Sequence, residues 1–157
     1  MDPSPAAKEN WQEAVARARG GPKVLIANNV PGFYNSTILE SLLAAALTLR
    51  GAEVHVLLCD QVLPACLKLK FGKSPPDQVI DGSFRRAVCD ECVRLGGAFA
   101  GLGIPVHRYS SFLGKEDREE IDRLAASLRP EEIPSFRSGG LALGEHAYAG
   151  CLRYYST

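Results

Sequence analysis

Two short apolar runs with one long amphipathic stretch between them constrain this chain most. Lys23–Asn28 (KVLIAN) is a continuous apolar run between Pro22 and Asn29, and residues 53–59 (EVHVLLC) form a second. Runs of this length between turn residues predict strands buried on both faces, as in parallel sheets. Between them, Ile38, Leu39, Leu42, Leu43, Ala46 and Leu47 recur at helical spacing as one broad apolar face, and Gly51 supplies a stop. Thr37 with Glu40 fits a capping box, with Asn35 or Ser36 as other caps. Strand, helix and strand together have the size of a right-handed βαβ unit.

The flanking segments extend the pattern. Residues 1–8 read as a frayed tail. A short helix begins at Asn10, carries Trp11, Ala14, Val15 and Ala18 at helical spacing, and ends at Gly20-Gly21-Pro22; its Trp is expected to pack on the main body as a lid. Residues 61–71 predict a short helix and 72–82 (GKSPPDQVIDG) a loop. Residues 89–102 are helical in character, 105–109 a third strand and 144–155 a last helix. Residues 116–128 predict a helix with Ile121, Leu124, Ala125 and Leu128 inward and its EDREE charges in solvent. The expectation is a three-layer Rossmann-like α/β domain with a mostly parallel sheet over residues 23–157, preceded by a tail and short helix at 1–22. At 157 residues the chain is one domain long and needs no disulfides to bury a core.

Composition removes several function classes. The 18 Lys and Arg balance 18 Asp and Glu, so no basic excess points to nucleic acid. The longest apolar run, 42–49, is interrupted by Thr48 and falls far short of the ~20 residues of a membrane span. The opening Met1-Asp2-Pro3 lacks the features of a signal peptide, which makes the cytoplasm the expected compartment. Five cysteines there are thiols, ligands or reactive groups rather than disulfide staples.

Two places can carry chemistry. The first is the loop after the first strand, Asn28-Asn29-Val30-Pro31-Gly32-Phe33-Tyr34-Asn35-Ser36. Ligands of open parallel sheets bind beyond the carboxyl ends of the strands. The next helix offers free N–H groups there, near Asn35 and Ser36, to an anionic or hydroxyl group. Gly32 allows close backbone approach. The loop is neither GxGxxG nor a P-loop. Read plainly, it is also what a turn and a helix cap require. The second place is the set Cys59, Cys66, Cys89 and Cys92, the last two in a CxxC. Four thiolates at this spacing suit tetrahedral zinc, or alternatively an iron–sulfur cluster. The competing reading is that Cys59 and Cys92 are small core hydrophobes, and Cys151 on the last helix is read as core. His55 and His107 fall inside strands and read as packed. His146, beside Glu145, is the one histidine placed as an exposed acid–base group.

The runs KVLIANN, STILESLLAAALTLRGAEVHVLLCD, LPAC, CDEC, GLGIPVHRYSSFL and GEHAYAGCLRYY span residues 23–155. Together they resemble the amino-terminal domain of bacterial surface- and capsule-polysaccharide biosynthesis proteins, which are similar to two-domain (GT-B) glycosyltransferases. The most specific part is the helix, LRG, apolar strand, CD and LPAC series; the helix-LRG-strand portion alone is common among such domains. The resemblance implies sugar transfer from a nucleotide-sugar donor to a saccharide acceptor, with this domain on the acceptor side. It implies that Asn29, Gly32, Asn35 and Asp60 face an interdomain cleft, and the four cysteines match the family's pattern. In such enzymes the nucleotide sits mainly in a carboxyl-terminal domain, so a second domain or a partner chain is expected to complete the site.

Overall fold

A computed structural model describes residues 4–63, 66, 68 and 83–155. The chain divides into two compact units, Met1–Phe112 and Leu113–Thr157. Of the predicted helix at 61–71 only 61–63, 66 and 68 are described, and the predicted loop at 72–82 lies outside the described residues.

The first unit runs α1 (Pro5–Ala18), β1 (Lys23–Asn28), α2 (Tyr34–Leu49), β2 (Glu53–Leu58), α3 (Ser83–Gly96), a 3-10 helix (Gly97–Leu102), β3 (Val106–Arg108) and a 3-10 turn (Tyr109–Ser111). Among the described residues the sheet is open, three-stranded and parallel, in the order β1-β2-β3. Helix α1 begins at Pro5 rather than at Asn10, and Trp11 packs on the core of this unit. Ser4 caps the helix by accepting the Ala7 N–H at 3.2 Å, and the Trp11 indole N–H donates to the Leu102 carbonyl at 2.8 Å. Helix α2 ends in a Schellman motif: Gly51 at φ 87° donates to the Thr48 carbonyl, and Ala52 to that of Leu47.

Two expectations about faces are corrected. β1 and β2 are not buried on both faces, because burial alternates along both of them. Ile26, Val54, Val56 and Leu58 turn to the core, while Leu25 on the other face is 59% exposed. Alternation is what a sheet with helices on one side produces. On α2 the residues facing the sheet are Thr37, Ala44 and Thr48, whereas Leu39 is 69% and Leu42 63% exposed, with Ile38, Leu43 and Leu49 also outside. Small residues let the helix axis lie close to the strands. The two threonines are buried without penalty because Thr37 donates to the Pro31 carbonyl and Thr48 to that of Ala44. The expected capping box is absent too. Phe33 is the N-cap with no side-chain bond, and the Glu40 carboxylate is engaged elsewhere.

The core gathers Ile26, Ala44, Val54, Val56, Leu58 and Ile104 around Phe99, which is fully buried, with Trp11, Val15 and Leu47 packed against it.

The second unit holds α4 (Lys115–Ser127), a 3-10 turn (Ile133–Ser135) and α5 (Leu143–Tyr155). Gly139 and Gly140, at φ 57° and 80°, turn the chain so that Ser138 and Leu141 pair as an antiparallel bridge. A side chain at Gly144 would run into the Ile133 carbonyl, so only glycine lets α5 approach that turn. The α4 charges are in solvent as expected, but Ile121 (53%) and Leu124 (41%) are exposed rather than inward. Cys151 is likewise exposed, not core. Among the described residues no helix is long and apolar enough to cross a membrane.

Phe99→Ala is expected to cost about 3–5 kcal/mol, the usual cost of emptying a fully buried aromatic site. Leu39→Ala on the outer face of α2 should stay within about 0.5 kcal/mol. Urea unfolding of the two variants checks both.

Candidate functional site

The carboxyl ends of β1 and β2 are organised by Asn28, which ends β1 and is buried. Its side-chain oxygen accepts the Val30 N–H at 2.8 Å, a tight turn closed by the asparagine itself. Its amide nitrogen donates to Thr37 Oγ1 at 3.5 Å and to a Glu40 carboxylate oxygen. Strand end, loop and helix are thus joined through one amide. The Cys59 N–H donates to the Asn28 carbonyl at 3.2 Å, continuing the pairing one residue past β2.

Glu40 lies at this edge as a half-buried carboxyl group. Burial pushes its pKa above the ordinary carboxylate value, and the bond from Asn28 opposes the rise only in part. The Glu40 carboxyl is thus a partly desolvated group held by Asn28 near the carboxyl edge of the sheet. The sequence places Glu40 in a capping box, and only the turn made by Asn28 shows otherwise.

Gly32, buried in the loop, is the second organising residue. A side chain there would meet the Cys92 sulfur and the Lys68 ammonium. Lys68 donates to the Gly32 carbonyl and lies 5.6 Å from the centre of the Phe33 ring. Burial pushes the Cys92 thiol up. The Lys68 ammonium and the Gly32 N–H work against that rise, and the neighbouring thiols of Cys66 and Cys59 add to it. Cys89 is half-buried three residues before Cys92 on α3, a separation that puts both on one side of the helix. The Tyr109 hydroxyl, raised first by burial, also feels Cys59. Cys59 just past β2 and Cys66 in the segment after it therefore lie near enough to Cys92 on α3 to influence its thiol. The donor set is all thiol with one ammonium beside it, a chemistry that fits a thiolate-bound metal. Among the described residues no three His, Cys, Asp or Glu side chains converge to metal-holding distance.

The other predicted ligand-binding residues are placed differently. Asn29 is exposed in the loop, and Asn35 and Ser36 are exposed on the first turn of α2. Asp60 is committed to Ser110: its carboxylate accepts the Ser110 N–H at 3.1 Å and the Ser110 hydroxyl, which ties the segment after β2 to the turn after β3. Gln61, at φ 76°, donates to Asp90 at 2.9 Å, so a non-glycine residue in the left-handed region links the same segment to α3. Two clefts lined by described residues lie away from this edge. One of about 470 Å³ opens between Arg19, Thr48, Glu53 and Gly103, and one of about 340 Å³ on the sheet face of Leu25 and Leu57. His146 is exposed on α5 in the second unit. No protein-family model, curated protein or solved structure matches the chain.

A raised carboxyl pKa means that the folded protein holds the Glu40 proton more tightly than the unfolded chain does. The contribution of Glu40 to stability is then complete below the ordinary carboxylate pKa and is lost as pH rises through its folded value. Glu40→Gln should therefore equal or exceed the parent in stability at neutral pH, and the gap should close or reverse as the pH falls through the carboxylate range. Urea midpoints measured across that range report it.

Proposed function

We propose that the chain is an acceptor-side, Rossmann-like domain of a glycosyltransferase-like protein of surface-polysaccharide synthesis, stabilised by a metal ion on Cys59, Cys66, Cys89 and Cys92. The observation that carries the reading is the carboxyl edge of the parallel sheet. It sets a desolvated carboxyl group, Glu40, one helix turn from exposed polar groups at Asn35 and Ser36. In sugar transfer the acceptor hydroxyl must lose a proton as it attacks the anomeric carbon, and Glu40 is the group suited to take it. Asn28 positions Glu40, and Asn29, Asn35 and Ser36 offer hydrogen bonds to saccharide hydroxyls. The nucleotide-sugar donor is then held by a second domain or a partner chain.

The thiol set is structural in this reading. The four sulfurs would hold zinc, which draws the segment after β2 onto α3 beside Gly32 and contributes folding energy. An iron–sulfur cluster on the same residues is the alternative, and its colour distinguishes it from zinc. A non-enzymatic assembly module is the second reading. It is favoured by the exposed leucines of α2, which offer a partner an apolar surface.

Elemental analysis of the purified chain should return at least one zinc per chain, and Cys89→Ser should remove one. A chelator, or Cys89→Ser, should lower the unfolding midpoint by several degrees, whereas Cys151→Ser should leave it in place. On a glycan array the chain should bind a saccharide, and Asn35→Ala should weaken that binding. A chain that carries no metal and binds no saccharide overturns the proposal. Binding to a protein partner with no saccharide bound selects the assembly module.

A further inference from the structure

The sheet face opposite the helices carries a side-chain group that the proposed function does not use. The parallel register sets Leu25 beside His55 and Leu57 beside His107, which makes the two imidazoles diagonal neighbours on one face. His55 Nδ1 lies 2.9 Å from His107 Nε2, and His55 Nε2 lies 3.2 Å from Glu53 Oε1. The ring planes are within 15° of each other and their centroids 5.2 Å apart. That separation is what remains when one ring radius is added on each side of the hydrogen bond. The rings therefore meet edge to edge, nearly in one plane.

The hydrogen positions follow from Glu53. Its other oxygen accepts the Gly20 N–H at 2.9 Å. With a backbone N–H on one oxygen and an imidazole nitrogen on the other, both carboxylate oxygens are placed as acceptors. An ionised carboxylate only accepts, so His55 Nε2 carries a hydrogen and Nδ1 of the neutral ring is a bare lone pair. His107 then donates its Nε2 hydrogen to that lone pair. This chain of carboxylate, imidazole and bare nitrogen is the arrangement that metal-ligating histidines use: the far N–H is given to a carboxylate, which fixes the tautomer and raises the basicity of the ligating nitrogen.

We propose that His55 Nδ1 and His107 Nε2 are paired ligands of a borderline divalent metal ion of the zinc, cobalt and nickel class, at a site separate from the cysteines. Two imidazoles select such ions over magnesium or calcium, which take oxygen donors. Metal–nitrogen bonds near 2.0–2.1 Å place two nitrogens on a tetrahedral ion about 3.3 Å apart, so the rings must part by a few tenths of an ångström and each must swing by about 35° to aim its lone pair at the ion. The His107 hydrogen moves from Nε2 to Nδ1 through water as the ion replaces it between the rings, and nothing is oxidised or reduced. The cleft of about 340 Å³ beside the pair, lined also by Lys23, Val24, Leu25, Leu57 and Phe112, leaves room for water to complete the coordination, with the Lys23 ammonium opposing the ion's charge. Glu53 is a positioning residue, since it touches only the far nitrogen of His55.

Titration of the full chain with Co²⁺, followed by NMR and by absorption, tests this. The ring protons of His55 and His107 should broaden together with uptake of one ion that shows no thiolate-to-cobalt charge transfer. His107→Phe, or His107→Gln should the first variant not fold, should abolish that uptake. Glu53→Gln should weaken it about tenfold or more, with a change of His55 tautomer visible in its ring ¹⁵N shifts. Cys92→Ser should leave the histidine signals responding as before, which separates this site from any ion held by the thiols. Ring protons that stay sharp in excess Co²⁺, or an uptake unchanged in the histidine variants, overturn the proposal.

Discussion

The amide of Asn28 stands where a strand, a turn and a helix meet, and one side chain satisfies all three. Its oxygen closes the turn on Val30, while its nitrogen holds Thr37 and Glu40 of the crossover helix. A buried polar group is tolerated only when its hydrogen bonds are made. The geometry of the loop is therefore set by the needs of this amide. Gly32 then falls against the Cys92 sulfur, and α2 starts at Phe33 without a capping side chain. Replacing Asn28 by an apolar residue of similar size would strand the Val30 N–H and release Glu40. The loop and the candidate base would be lost together.

The same economy governs the helix face. Thr37, Ala44 and Thr48 lie against the strands because each is small and each hydroxyl finds a carbonyl within its own loop or helix. Close approach favours contact with Val54 and Val56, which are among the most buried side chains of the unit. The larger leucines are left on the outside. Helix and sheet thus divide α2 by side-chain size as much as by polarity.

Much of the architecture was legible from residues alone. The order of strands and helices, the stop at Gly51 and the parallel pairing follow from turn residues and apolar runs. Faces were harder to read. The leucine stripe of α2 has the right period for a buried helix, and hydrophobicity cannot show that two threonines on the other side will be satisfied locally. Cys151 was misjudged for the same reason, since cysteine is commonly buried but this one is exposed on α5. At the candidate site, the sequence marks Gly32 for the close approach of a ligand, whereas a side chain there would meet the Cys92 sulfur and the Lys68 ammonium. Glu40 was not legible, because its role depends on where the Asn28 side chain points. The histidine pair was also out of reach: a two-residue offset between β2 and β3 brings the rings together, and register is a property of the folded sheet.

The outer stripe of α2, formed by Ile38, Leu39, Leu42, Leu43 and Leu49, contains no ionisable group. Whatever surface it meets, its adhesion is governed by water rather than by charge. Such contact strengthens on warming from the cold, is indifferent to Debye screening, and tightens in sulfate and other excluded solutes. Cold, dilute buffer is thus the medium in which this stripe is least adhesive.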